Sequence, residues 1–409
     1  MTPIRFYNVW RTKTPEDRGR LLASMREKAA LFADKPGFVS LIVSESPEDG
    51  RVVAEGLWAT KESFADAVAN NPEAESARQE MEEFGVPEPG LFVEAIRVEP
   101  STGSDSATLD RLRVEARSRW GALGFQTRVA ELRGVQLHVA EAGQGDLVIL
   151  LHGYPQSGEV WRHIAPALAK NHTVVIPDLR GMALSGSPES GYDLSTVAAD
   201  IYQLVQQTGH RQFKIVGHDW GGAVGAFLAL QHRLEVTKLV FIESAVAGLG
   251  FESLWNFATP NPVMTFIPFL LMGGADPDSD ITANLLRGRE EMFLRHLWHT
   301  FTADKKAAPF QTWEPYVAAM ARSGVARASA SYYRSAYTTA EQARALASHK
   351  LEIPLLAIAG QNGIGHHHRP LVEAFAQKLH GDVILDGAGH FVPEERPHEA
   401  LAAIMPYLT

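Results

Sequence analysis

The chain has 409 residues, of which 45% are apolar and 21% charged, with a formal net charge of -10 and no cysteine. That length exceeds one ordinary core and suits a small and a large domain, and the apolar-to-charged balance is that of a globular protein in water. The acidic balance leaves no electrostatic footprint for nucleic acid or an anionic membrane surface, and without cysteine there is no disulfide, thiolate nucleophile or cysteine-ligated metal.

The first residues, Met1-Thr2-Pro3-Ile4-Arg5-Phe6, do not open a basic, apolar and small-residue leader, and a cytoplasmic protein is expected. Residues 4–10 read as a strand. Residues 15–34 read as a helix, with Leu21, Leu22, Met25, Ala29 and Phe32 at helical spacing. Residues 38–44 and 51–60 read as two strands about a polar turn, 61–69 and 73–84 as helices, and 91–99 as a closing strand. This β-α-β-β-α-β order over residues 1–100 predicts a ferredoxin-like α+β unit.

Three stretches of this unit are similar to the antibiotic-biosynthesis monooxygenase (ABM) family. They are Arg5-Phe6-Tyr7-Asn8-Val9-Trp10, Lys35-Pro36-Gly37-Phe38-Val39 and Glu55-Gly56-Leu57-Trp58-Ala59-Thr60. The resemblance implies a homodimer formed through the N-terminal sheets, with Asn8 and Trp58 at pocket positions. Residues 59–70 lack the histidine that haem chemistry would require. Two readings stay open: a dimerisation unit, or an oxygenating unit that hands an aromatic natural product to the rest of the chain.

Residues 101–124 are expected as a Ser/Thr/Gly-containing linker and a charged helix. From residue 125 to 409, short apolar runs alternate with helical patterns: 135–140, 147–151, 173–177, 213–216, 239–243, 355–359 and 383–385. That rhythm predicts a mostly parallel sheet covered on both faces. Residues 247–346 interrupt it with helices alone and are expected to cap the strand ends. The apolar stretch at 251–272 is broken by Asn256, Pro260, Asn261, Pro262 and Pro268, so it does not read as the roughly 20-residue run a membrane span needs.

Three segments carry chemistry. In Val216-Gly217-His218-Asp219-Trp220-Gly221-Gly222, a strand enters a tight turn and then a helix, and Asp219 stands at the nucleophile position between small residues. In Leu150-Leu151-His152-Gly153-Tyr154-Pro155, a buried strand ends where a backbone N–H, here that of Tyr154, can form half of an oxyanion hole. The N–H of Trp220 would form the other half. Asp386-Gly387-Ala388-Gly389-His390 follows the last strand and places His390 as the base. The loop after 355–359 reads Gly360-Gln361-Asn362-Gly363-Ile364-Gly365, with no carboxylate. Glu243, at the end of the preceding strand, is therefore assigned as the acid that orients His390.

These motifs resemble the α/β-hydrolase superfamily in its epoxide-hydrolase and dehalogenase branch, over residues 125–409. The expected class is thus an α/β-hydrolase fold with a helical cap, preceded by the ferredoxin-like unit. The resemblance implies an alkyl ester on Asp219, hydrolysed by water that His390 activates, with no metal or organic cofactor and a small-molecule substrate. Ser331-Tyr332-Tyr333-Arg334 is similar to the family's tyrosine motif, and Tyr333 is assigned as proton donor to an epoxide oxygen. A second donor is expected in the first cap segment, where this chain has Phe266. Tyr333 acts alone, another cap tyrosine such as Tyr316 or Tyr337 assists, or the substrate is not a simple epoxide. His152, Phe266 and Trp255 are assigned to the substrate pocket. The alternative is dehalogenation. It is weakened by Tyr154 where haloalkane dehalogenases carry Asn, and by Trp220 where fluoroacetate dehalogenases carry Arg.

Overall fold

The computed structural model describes residues 4–12, 14, 16–17, 19–21, 23–25, 38–46, 51–58, 85–87, 105–254, 267–271 and 280–409. The chain divides into two units, Met1–Ser104 and Asp105–Thr409.

In the first unit, β1 (Ile4–Thr12), β2 (Phe38–Ser46), β3 (Arg51–Trp58) and β4 (Gly85–Pro87) form a four-stranded antiparallel sheet ordered β2-β3-β1-β4. The β2–β3 hairpin lies where two strands about a polar turn were expected. The strand expected at 91–99 lies outside the described residues, as do the helices expected at 61–69 and 73–84.

The second unit opens with a helix, Asp105–Ala122, which begins inside the stretch expected as linker. Its sheet has eight strands: β5 (Gln126–Leu132), β6 (Val135–Ala142), β7 (Asp146–Leu151), β8 (His172–Pro177), β9 (Phe213–His218), β10 (Val236–Ile242), β11 (Leu355–Gly360) and β12 (Leu379–Leu385). They are ordered β12-β11-β10-β9-β7-β8-β6-β5, parallel from β8 to β12 and antiparallel at β6 and β5. Leu147–Leu151 and all of β11 are buried, as near-continuous apolar strands with both faces covered must be. Two apolar clusters lie on the two faces, one built on Ile149, Ile215 and Leu239, the other on Val148, Val216 and Val240.

The order also fixes where a site can form. From β7 the chain moves to β8 on one side and then to β9 on the other. This reversal leaves a crevice at the carboxyl ends of β7 and β9. Tyr154 follows β7 and Asp219 follows β9, so both emerge at the crevice. The helix after Asp219, Trp220–Gln231, is buried along its length up to Leu230.

Between β10 and β11 the described elements are helical, including Ile281–Leu286, Glu290–Phe301, Glu314–Met320, Val325–Arg334 and Ala336–Leu346. These cover the crevice. The Tyr332 hydroxyl donates to Arg180 O at 2.9 Å, fastening the Val325–Arg334 helix to the core. Within the cap, Arg334 grips Asp280 with two bonds of 2.7 and 3.0 Å. Asp280 is fully buried and also caps the Ile281–Leu286 helix by accepting from Ala283 N at 2.9 Å.

Removing one partner of such a buried pair leaves the other charge uncompensated. Asp280→Ala should therefore cost about 3 kcal/mol of stability. Denaturant unfolding of the two proteins measures it, and a difference under about 0.5 kcal/mol, the size of an ordinary surface change, would show that the pair holds nothing.

Candidate active site

Asp219 sits at φ 53, ψ -124, in the sharp turn between β9 and the following helix, a conformation rare for a residue with a side chain. Its Oδ1 accepts from the Tyr154 backbone N–H at 2.7 Å, and the Trp220 backbone N–H also bonds the carboxylate. The approach requires glycine at 153. A Cβ there would lie 2.1 Å from Asp219 Oδ1 and 2.4 Å from Asp219 Cβ.

His152 pins the far side of the same peptide. Its Nδ1 lies 2.9 Å from Gly153 O, while its Nε2 accepts from Leu179 N at 3.0 Å, which fixes the tautomer. In a planar trans peptide, holding the Gly153 carbonyl aims the Tyr154 N–H the opposite way, toward Asp219. Burial lowers the His152 pKa, so the ring is neutral. His152 does not line the cavity; it stands behind the wall, not at the pocket position expected for it.

His390 lies between two carboxylates. Its Nδ1 is 3.0 Å from Glu243 Oε2, and its Nε2 is 3.6 Å from Asp219 Oδ2. Glu243 follows β10 at φ 45. Its buried carboxylate accepts from Gly360 N at 2.8 Å and from Ile364 N at 3.0 Å, so the loop without an acid receives one from its neighbour. Gly363 leaves the room for this: a Cβ there would lie 2.4 Å from Glu243 Oε2. Burial raises the Glu243 pKa, against the opposing pull of His390 and the two backbone N–H groups.

Burial would raise Asp219 as well, but His390 and the Trp220 N–H outweigh it and hold the carboxyl below its usual value. Burial opposes a charge on His390, yet the two carboxylates prevail and lift it to about 10. Asp219 is thus an anion in the neutral range, with a protonated histidine beside it.

The backbone of His390 is also held. Its N–H donates to Phe301 O at 2.9 Å, and its carbonyl lies 2.8 Å from His218 Nε2. His218 is fully buried, is lowered to about 3 by burial and the nearby His390, and is neutral. The next residues of the loop reach the cap. Glu395 accepts from Gly389 N, Ala303 N and Asp304 N, at 3.0, 2.8 and 2.8 Å. Glu394 accepts from Arg162, Tyr316, Trp313 and Gln156 at 2.6 to 3.1 Å. Reading the sequence position by position missed His218 and both glutamates. The signal for the glutamates was two adjacent carboxylates directly after the apolar Phe391-Val392-Pro393 that follows the histidine.

A cavity of about 310 Å³ opens over Asp219. Tyr154, Trp220, Tyr333, Phe301 and Phe391 line it, and Asn362 and His367 stand at a more exposed part of its wall. Tyr333 projects from the cap helix, with its ring 5.0 Å from that of Trp220 and edge-on to it. Tyr316 is engaged with Glu394, and Tyr337 is 87% exposed, so neither reaches the cavity. Phe266 and Trp255 lie outside the described residues.

Residues 146–397, well over half of the chain, match the family described as alpha/beta hydrolase fold. The chain belongs to the α/β-hydrolases. This hydrolase is 33% identical to a soluble epoxide hydrolase of Corynebacterium sp. strain C12, over 66% of its own length and 92% of that protein's. It is 29% identical to epoxide hydrolase A of Mycobacterium tuberculosis, over 69% of its own length and 97% of that protein's. A solved structure of the epoxide hydrolase CorEH without ligand superposes with a TM-score of 0.60 at 29% identity, covering 69% of this chain and 98% of that one. The protein is an enzyme of the epoxide hydrolase-like kind.

If the Asp219 charge helps to hold the proton on His390, removing that charge must lower the histidine's pKa. Histidine ring NMR should show His390 of the unaltered hydrolase protonated until the pH approaches 10. In Asp219→Asn it should titrate at lower pH. Equal titration in the two proteins would show that Glu243 alone sets the charge.

Proposed function

We propose that this hydrolase opens a bulky, aromatic or natural-product-like epoxide through a covalent ester on Asp219. The observation that carries this reading is the divided Asp219 carboxylate: Oδ1 accepts the Tyr154 N–H, while Oδ2 faces His390 across 3.6 Å.

Oδ2 attacks an epoxide carbon and the ring C–O bond breaks. The departing oxygen takes one proton from Tyr333, leaving a tyrosinate and an ester on Asp219. The carboxylate charge is then gone, one of the influences that held the proton on His390 is removed, and the imidazolium passes that proton to the tyrosinate, which restores Tyr333 and leaves a neutral base. Neutral His390, its Nδ1–H kept on Glu243, takes a proton from water. The hydroxide adds to Cγ of Asp219, and the charge appears on Oδ1, already bound by the Tyr154 backbone N–H. Collapse returns the carboxyl group, still protonated, and expels the alkoxide, which His390 protonates. The proton left on the regenerated carboxyl goes to neutral His390, which restores the resting imidazolium beside the Asp219 carboxylate. The sum is epoxide plus water giving a diol. The aromatic lining of the cavity supports an apolar, ring-bearing substrate.

His390→Gln should still alkylate Asp219 but fail to hydrolyse the ester. Mixed with aromatic epoxides and with alkyl halides, it is read by intact mass and mapping of the peptide that holds Asp219. A gain of the whole epoxide supports the reading. A gain of substrate less hydrogen halide, without an epoxide adduct, would make the chain a dehalogenase, and no adduct from either set would remove both.

For residues 1–100 we propose an ABM-like unit that pairs two chains. The antiparallel order β2-β3-β1-β4 supports it. Sedimentation equilibrium of the whole 44.8 kDa chain should give twice that mass, and a monomer at micromolar concentration overturns the pairing.

A further inference from the structure

We propose that the side chain of Tyr154 is the second ring-opening donor, sharing with Tyr333 the charge that develops on the epoxide oxygen. The proposal rests on the epoxide reading above and assigns it a residue that comes from the core, not the cap.

The first cap segment offers Phe266, which has no hydrogen to donate. Tyr154 is placed by the oxyanion turn itself. Its backbone N–H bonds Asp219 Oδ1, and its ring is buried in the cavity wall. The Tyr154 and Tyr333 rings meet edge to face, with centroids 5.6 Å apart and planes at 82°. Two phenols, one following β7 and one from the Val325–Arg334 helix, therefore flank the same carboxylate.

The remaining buried tyrosines of the cap are committed elsewhere: Tyr332 donates to Arg180 O and Tyr316 to Glu394. Among the described residues the Tyr154 hydroxyl has no such partner. Burial and the Asp219 charge both push its pKa up, so it keeps its proton and stays a donor throughout the neutral range. The same causes act on Tyr333, which also feels Tyr154.

Only one proton moves. The new bond runs from Asp219 Oδ2 to carbon, the ring C–O bond breaks, and Tyr333 protonates the oxygen. Tyr154 keeps its proton and donates a hydrogen bond to that oxygen. A bond to a developing anion strengthens as the charge grows, so it accelerates ring opening and leaves ester hydrolysis untouched.

The test uses the full chain carrying His390→Gln, which traps the ester, and an aromatic epoxide followed by quenched-flow intact mass. Adding Tyr154→Phe should slow adduct formation roughly ten- to a hundred-fold, the effect of a lost hydrogen bond to a charged group. Adding Tyr333→Phe as well should abolish it. With His390 intact, Tyr154→Phe should hydrolyse the preformed ester at the normal rate, since the backbone N–H remains. Tyr154→His, which keeps a ring N–H, should alkylate faster than Tyr154→Phe and guards against a loss of folding. Unchanged alkylation in Tyr154→Phe overturns the proposal but leaves the epoxide reading intact. So does a double variant no slower than Tyr333→Phe alone, or a parallel fall in both steps. His390→Gln alone forming no epoxide adduct overturns both.

Discussion

One hydrogen bond sets the geometry of the catalytic unit: Tyr154 N–H to Asp219 Oδ1, at 2.7 Å. To make it, the turn after β7 must come almost into contact with the elbow after β9. Both strands must end at the same level in the sheet, and the residue between must lack a Cβ. Their pairing, Leu151 opposite Gly217, supplies the level. The bond assigns different tasks to the two oxygens of one carboxylate. One is held by the Tyr154 backbone N–H. The other faces His390 across 3.6 Å and, in the reaction proposed above, meets the incoming carbon.

Charge is arranged around that carboxylate in layers. His390 stands between Asp219 and Glu243, and the two carboxylates together hold its proton. Glu394 and Glu395 lie immediately beyond, each saturated with donors, and neither touches the reacting groups. Their role is mechanical. Glu395 joins the histidine loop to the end of the Glu290–Phe301 helix, and Glu394 joins it to the Glu314–Met320 helix through Tyr316. Buried carboxylates suit this work because each can accept several bonds from separate segments at once.

The strongly patterned parts of the fold were legible in the sequence. β7, β9 and β11 are apolar runs bounded by turn residues, and the helical interruption before β11 was plain. β5 was not read as a strand, because Arg128 and Glu131 obscure its pattern and only its pairing with β6 makes it a strand. β12 begins four residues earlier than its apolar part, at an edge where polar residues are tolerated. At the site, Asp219, Glu243 and His390 come together from three turns distant in sequence, as their motif positions implied. His152 does not join them. A short motif gives the position of each residue but not the direction of its side chain, and this imidazole turns back to hold the peptide.

The loop after β11 carries no acid, and the way Glu243 fills that place constrains the residue beside it. The carboxylate occupies the space beside Gly363 that any side chain at that position would enter. A side chain at 363 and the carboxylate reaching in from 243 therefore compete for one volume. Even a methyl group at 363 would push the Glu243 carboxylate away from the backbone N–H groups it accepts from and from His390 Nδ1.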